Sequence, residues 1–228
     1  MIDQELSDSR NERWTQILKS LLQDRSGLSI LDVGTGPGYF SILLSRLGHR
    51  VTAIDSSKEM LAKARINTEK HRCDVELVLS DLLDFALPES YDIIISRNVT
   101  WTLPDPINAY KKWFSWLKCD GQVIILDANW NFHLTDPAAA TLQEAVNLEA
   151  AAAGYVPYRS EKEIGEGDRI TLTLPLSYVA RPDWDIAMLR PIGFKETTVR
   201  QGFDEGLYTP AEQVLNKHRP MFAITAFR

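Results

Sequence analysis

Concentrated positive charge is what this chain lacks most plainly: 25 Lys and Arg stand against 31 Asp and Glu, a formal charge of −6, with no basic run anywhere. A protein that neutralises many phosphates shows the opposite balance, so no nucleic-acid partner is expected. No apolar run approaches the ~18 residues of a membrane span, and the polar N-terminus has no secretory-signal pattern. The only cysteines, Cys73 and Cys119, lack Cys-x-x-Cys spacing, which predicts neither a metal site nor a disulfide framework. A reduced, cytoplasmic setting is expected. Internal repeats and low-complexity tracts are missing as well. What remains, 228 residues of which 44% are hydrophobic, suits one α/β domain with an embellishment.

The organising stretch is Ile30-Leu-Asp-Val-Gly-Thr-Gly-Pro-Gly-Tyr-Phe40. Leu28, Ile30, Leu31 and Val33 make the short apolar run of a parallel strand covered on both faces. Gly34, Gly36 and Gly38 follow at alternate positions and allow a sharp turn against which a ligand can lie. Tyr39 to Leu47 then reads as a helix whose N-terminus points free N–H groups at the loop. The dinucleotide fingerprint G-x-G-x-x-G would need a glycine where Tyr39 stands. An acid, Asp32, precedes the first glycine by two residues, where a carboxylate suits an ammonium-bearing ligand better than a phosphate.

This stretch resembles motif I of the class I S-adenosylmethionine-dependent methyltransferases, in particular the small-molecule, ubiquinone/menaquinone-biosynthesis-like branch. The resemblance implies a Rossmann-like, seven-stranded, mostly parallel sheet of order 3-2-1-4-5-7-6 flanked by helices, with an N-terminal helix and an insert after strand 5. It covers about 28–130 strongly and 183–228 in outline. It implies S-adenosylmethionine as cofactor, held by the loop residues Asp32, Gly34, Thr35, Gly36 and Gly38.

Further along, Arg50 to Asp55 reads as the second strand. Asp55 lies 21 residues past Gly34, close to the ~20 at which a carboxylate meets a ribose diol in such folds. Ser56 and Glu59 read as a capping box for a helix over 57–70, and the resemblance also puts Ser56 among the cofactor-binding residues, with Arg97 and Asn98 further on. In the family, Met60 would touch adenine; a core methionine is the other reading. The third strand, 74–80, ends at Asp81-Leu82. The resemblance has Asp81 accept from the adenine amino group and the Leu82 N–H meet a ring nitrogen; Asp81 as a plain turn residue is the alternative. The fourth strand, 91–96, brings Ser96, Arg97 and Asn98 to the methyl-donor end, at the switch in strand order. Trp101 forms either an aromatic wall there or part of the core. The Asn/Asp-Pro-Pro-Tyr and Pro-Cys signatures of base methyltransferases are absent, in keeping with the acidic charge.

Asp105-Pro106 predicts a helix start, Gln122 to Asp127 the fifth strand, and Asp136-Pro137 another helix to Gly154. Leu-Lys-Cys-Asp-Gly-Gln stands where the family usually has Lys-Pro-Gly-Gly before strand 5. A polar loop over 159–169 and an edge strand over 170–178 are expected from the alternation of Ile170, Leu172, Leu174, Leu176 and Tyr178. Residues 131–180 thus form a cap-like insert within one domain, 1–228, either building the acceptor pocket or serving dimer contact. Residues 1–27, with Trp14, Ile17, Leu18, Leu21 and Leu22 on one face, form a helix that is either a lid over the cofactor or a sheet-packing helix. Trp14, Trp101 and Asn129 are the acceptor-side candidates, and His133 is the imidazole best placed for a base. The expected function is in-line methyl transfer to a small-molecule acceptor, with no metal; a homodimer is compatible with this. The alternatives are an NAD-dependent oxidoreductase or a non-catalytic S-adenosylmethionine-binding protein.

Overall fold

The computed structural model describes residues 2, 6, 9–81, 90–152, 154–155 and 160–228. One seven-stranded sheet runs β3-β2-β1-β4-β5-β7-β6, the expected order. Its strands are β1 Ser29–Val33, β2 Arg50–Asp55, β3 Val75–Leu79, β4 Tyr91–Arg97, β5 Leu117–Asp127, β6 Lys195–Gln201 and β7 Phe222–Phe227. The first five are parallel; β7 pairs antiparallel with both β5 and β6.

β1 is buried along its whole length, and β4 carries Ile93, Ile94 and Ile95 fully buried. Such unbroken apolar runs arise because helices cover both faces of the sheet. On one face, Ile30, Ile93 and Ile95 pack with α1 (Ser9–Leu21), through Trp14, Ile17 and Leu18, and with α2 (Tyr39–Arg46), through Phe40, Ile42 and Leu43. On the other, Leu31, Ile94 and Ile125 pack with α4 (Pro106–Trp116), through Tyr110 and Trp113, and with Leu189 of α7 (Asp183–Ile192). The N-terminal helix is therefore a full member of the core: Trp14 meets Phe40 edge-on at 5.0 Å.

Several local expectations shift. Helix α3 (Lys58–Lys70) is capped by Ser57, whose Oγ accepts from Met60 N at 3.2 Å, and not by Ser56. Asp55 Oδ1 accepts from Ser57 N at 2.9 Å, which pulls Ser57 into the capping position and leaves Ser56 toward the open end of the sheet. Strand β5 begins earlier than the expected Gln122, and the Asp120-Gly121 pair lies inside it, where pairing to β4 jumps from Tyr91–Leu117 to Ile93–Gln122.

The 131–180 region corrects the largest expectation. After α5 (Pro137–Ala152), residues 161–171 are helix α6 (Glu161–Thr171), and Pro175–Tyr178 is a 3-10 turn; there is no polar loop and no edge strand. A reciprocal capping box between Ser160 and Glu163 starts α6. The apparent period of two spans a helix end and a turn that Pro175 opens, and the turn is held as Ser177 Oγ donates to Thr171 O at 2.7 Å. Helix α8 (Pro210–Asn216) begins with a reciprocal capping box between Thr209 and Glu212. Among the described residues, no helix is long and apolar enough to cross a membrane.

Candidate active site

The loop after β1 is anchored from below and from the side. Asp32 is 2% exposed, and its Oδ2 accepts from Thr35 Oγ1 at 2.8 Å and Ser41 Oγ at 2.6 Å. Burial raises the carboxyl's pKa, while the Ser41 and Thr35 hydroxyls and Arg97 pull it back down. Gly34 has φ +68, and a Cβ there would lie 2.3 Å from Val99 Cγ2, so the position is closed to other residues. Gly36 N donates to Asp55 Oδ2 at 2.8 Å. With Ser57 N on its other oxygen, Asp55 clamps the loop to the end of β2 while each oxygen keeps a lone pair for a ligand.

Asp55 faces a cleft of about 260 Å³ together with Gly34, Ser56, Asp81, Asn98 and Asp105. Of the expected cofactor residues, Gly34, Asp55, Ser56, Asp81 and Asn98 are thus brought together. Asp32 and Thr35 lie beneath the loop, Gly36 and Gly38 shape it, and Arg97 turns away to the other side. Met60 is not part of the cleft lining, and Leu82 falls outside the described residues. The donor set decides which nucleotide fits. Three carboxylates, Asp55, Asp81 and Asp105, offer acceptors to ribose hydroxyls and an exocyclic amine but would repel a pyrophosphate.

A second cavity, about 230 Å³, opens on the other side of Asn98 and is walled by Trp14, Tyr39, Arg97, Trp130 and Tyr208. Asn98 has φ +57, uncommon for a residue with a side chain. Its N–H donates to Leu126 O at 2.9 Å and its O accepts from Trp101 Nε1 at 3.1 Å, which holds the turn. Arg97 therefore faces one cavity and Val99 the other, with Asn98 shared by both. Of the acceptor-side expectations, Trp14 lines this cavity; Trp101 and Asn129 line neither. His133 sits in the 3-10 turn Phe132–Leu134, also outside both linings; burial, then Arg219, lowers its pKa.

Behind the site lies a buried ionic network with no signature in the sequence. Asp127, at the end of β5, accepts on Oδ2 from Thr100 Oγ1 at 2.5 Å, Arg181 Nη1 at 2.9 Å and Trp101 N at 3.3 Å. Its Oδ1 accepts from Trp130 Nε1 at 2.8 Å. Arg181 also donates to both oxygens of Asp185, at 2.9 and 2.8 Å, and Tyr110 donates to Asp185 Oδ1. Burial alone would lower the Arg181 pKa, but Asp127 and Asp185 outweigh it and hold the guanidinium above its ordinary value. Asn129 exchanges two bonds with the Arg181 peptide, at 2.8 and 3.0 Å. One carboxylate, Asp127, thereby fixes both the turn beside the cofactor cleft and the indole that walls the second cavity.

Tyr39, Trp130, Tyr208 and Glu212 went unmarked by sequence reasoning as cavity residues. Trp130 follows a strand end by three residues, which is a usable signal; Tyr208 and Glu212 carry none beyond the capping box. The described lining comes from α1, the start of α2, the strand ends and the β6–β7 connection. No described residue of 131–180 is part of it; α5 of that segment meets the chain just past α8 through Glu149 and Lys217.

The geometry makes a measurable claim at Asp55. Asp55→Ala is expected to weaken S-adenosylhomocysteine at least tenfold, since each lost charge-assisted bond is worth ~1.5–3 kcal/mol. Calorimetry checks it, and unchanged affinity would remove Asp55 from the ribose contact.

Residues 24–170 match a family described as a methyltransferase domain. The ubiquinone biosynthesis O-methyltransferase of Paramagnetospirillum magneticum is 34% identical over 87 residues, 38% of this chain and 35% of that protein. The ribosomal protein L11 methyltransferase of Thermosipho melanesiensis is 35% identical over 114 residues, 49% of this chain and 43% of that protein. The chain spans less than half the length of these curated relatives. In fold it is similar to the Haemonchus contortus phosphoethanolamine N-methyltransferase 2 solved with S-adenosyl-L-methionine, with TM-score 0.64 and 18% identity over 96% of this chain and 52% of that one. It is similar too to the N-methyltransferase NodS of Bradyrhizobium japonicum, solved with S-adenosyl-L-homocysteine, with TM-score 0.59 and 17% identity over 100% of this chain and 96% of that one. With the acid-rich cleft and the strand order, the family match leads to one assignment: this chain belongs to the methyltransferase-domain family.

Proposed function

We propose that the protein transfers a methyl group from S-adenosylmethionine to a small-molecule acceptor, as in the ubiquinone-biosynthesis-like branch. The observation that carries this reading is the pair of cavities meeting at Asn98, one acid-lined and one aromatic. Bound in the first, S-adenosylmethionine supplies a methyl on a sulfonium whose sulfur keeps the bonding pair when an acceptor lone pair displaces it in line. The protein's part is alignment and exclusion of water. Asp55 accepts from the ribose hydroxyls, Asp81 from the adenine amino group, and the backbone around Gly34 lets the cofactor approach closely. Arg97 and Asn98 stand where the cofactor's methionine end meets the acceptor, and Trp14 walls the acceptor side. Trp101 and Asn129 support this arrangement from behind. Met60 and His133 line neither cavity, and a base is needed only for an acceptor that arrives protonated.

Asp32 serves the cofactor through the loop that it holds. Asp32→Asn is accordingly expected to weaken S-adenosylmethionine and adenosine by the same factor, because the loop supports both. A loss confined to S-adenosylmethionine would instead put the carboxylate beside the cofactor's ammonium, which adenosine lacks.

The direct test incubates the protein with methyl-labelled S-adenosylmethionine and a small-molecule metabolite extract. Label moving into a small organic product is expected. Saturable cofactor binding with no transfer would favour the non-catalytic reading, and label recovered only in macromolecules would contradict the small-molecule acceptor.

A further inference from the structure

We propose that the second cavity selects a flat aromatic acid, a single ring bearing a carboxylate, over an amine of the same shape. The inference rests on the methyl-transfer reading above and names the acceptor class for that site.

Shape comes first. At about 230 Å³ the cavity is smaller than the ~300 Å³ at the low end of drug-sized pockets, so one substituted ring fills it. Trp14, Tyr39, Trp130 and Tyr208 give the cavity aromatic walls, between which a planar ring buries more area than a branched chain does.

Charge comes second. Aromatic walls with a carboxylate, here Glu212, are the usual makings of an ammonium cage. In this cavity three of the rings, Trp14, Tyr39 and Trp130, already have a cation near one face. The Arg97 guanidinium lies 5.4 Å from the Trp14 ring centroid, 5.1 Å from that of Tyr39 and 4.5 Å from that of Phe40. Arg219 lies 5.7 Å from that of Trp130 and donates to Trp130 O at 3.0 Å. One oxygen of Glu212, Oε2, is committed to its own helix, accepting from Thr209 N at 2.8 Å. Asp32, which offsets part of the Arg97 charge, is buried under the loop with its Oδ2 on two hydroxyls. An ammonium entering would be brought against Arg97 and Arg10, whereas a carboxylate would be drawn to them. Both arginines also make other interactions, so the ligand shares them.

Tyr208 adds a third feature. Its hydroxyl is buried and has no hydrogen-bond partner among the described residues. Burial, then Asp204, raises its pKa, so it remains a protonated donor and suits an oxygen of the ligand. An ammonium, which only donates, makes no use of that hydrogen.

Two size-matched probes, benzoate and benzylamine, test this on protein first titrated with S-adenosylhomocysteine in a calorimeter. Saturable benzoate binding at least tenfold tighter than benzylamine is expected. Arg97→Gln should erase the preference, and Tyr208→Phe, which keeps the ring, should weaken benzoate several-fold and benzylamine by less. Benzylamine binding as tightly as benzoate, or neither binding to the S-adenosylhomocysteine-loaded protein, overturns the inference while leaving the methyltransferase reading intact. Failure of the first titration would remove that reading, and this one with it.

Discussion

Arg181→Met should destabilise the protein by about 3–5 kcal/mol, which lowers Tm by on the order of ten degrees for a domain of this size. The side chain is 1% exposed between two carboxylates that are 0% exposed, Asp127 and Asp185. Removing the cation leaves two buried charges facing each other with no counter-ion. Methionine preserves most of the volume, so the loss reports charge more than packing. Replacing the acids as well, with Asp127→Asn and Asp185→Asn, should recover part of the loss, because the penalty belongs to the uncompensated charges. Thermal unfolding of the single and triple variants checks this. A loss below about 1 kcal/mol in the single variant would mean that water reaches the network.

Gly34→Ala is expected to cost stability and cofactor affinity together, and Val99→Ala to give much of both back. The added methyl would stand 2.3 Å from Val99 Cγ2, at a backbone φ of +68. The left-handed conformation costs ~1–2 kcal/mol for a residue with a Cβ, and overpacking costs ~1–3 kcal/mol more. Gly34 and Val99 both line the acid-rich cleft, so whatever movement relieves the clash narrows it. S-adenosylhomocysteine affinity should fall at least tenfold in Gly34→Ala. Val99→Ala trims the two Cγ atoms that crowd the new methyl and leaves the conformational cost and a 3.2 Å contact to the Cβ of residue 99. A double-mutant cycle should therefore show ~1 kcal/mol or more of favourable coupling. Strict additivity would mean that the turn relaxes away from Val99 without resistance.

What was legible in the sequence was local. The apolar run of β1, the alternate glycines and the amphipathic start of α2 are neighbours in the chain, so periodicity finds them. Asp55, Asp81 and Asn98 were legible because each closes a strand that itself reads clearly, and parallel strands deliver their ends to one place. The ionic network was not legible: Arg181 and Asp127 are 54 residues apart and meet through the fold alone. Nor were the walls Tyr208 and Glu212, which a connection between antiparallel strands carries back over the mouth of α1. The strand expected over 170–178 failed because alternation over a few residues cannot distinguish a strand from a helix end followed by a turn. Ser160 and Glu163, at capping-box spacing, were the better local signal. The one-residue displacement of the α3 cap, from Ser56 to Ser57, turned on a single bond from Ser57 N to Asp55.

The central claim, that the acid-lined cleft takes the nucleoside of S-adenosylmethionine and rejects a pyrophosphate, comes down to a paired titration. S-adenosylhomocysteine and NADH are each titrated into the protein by calorimetry at one salt concentration. Saturable binding of S-adenosylhomocysteine at micromolar affinity or tighter, with no saturable heat from NADH, is the predicted result. Saturable NADH binding with no heat from S-adenosylhomocysteine would contradict the account and return the chain to the oxidoreductases.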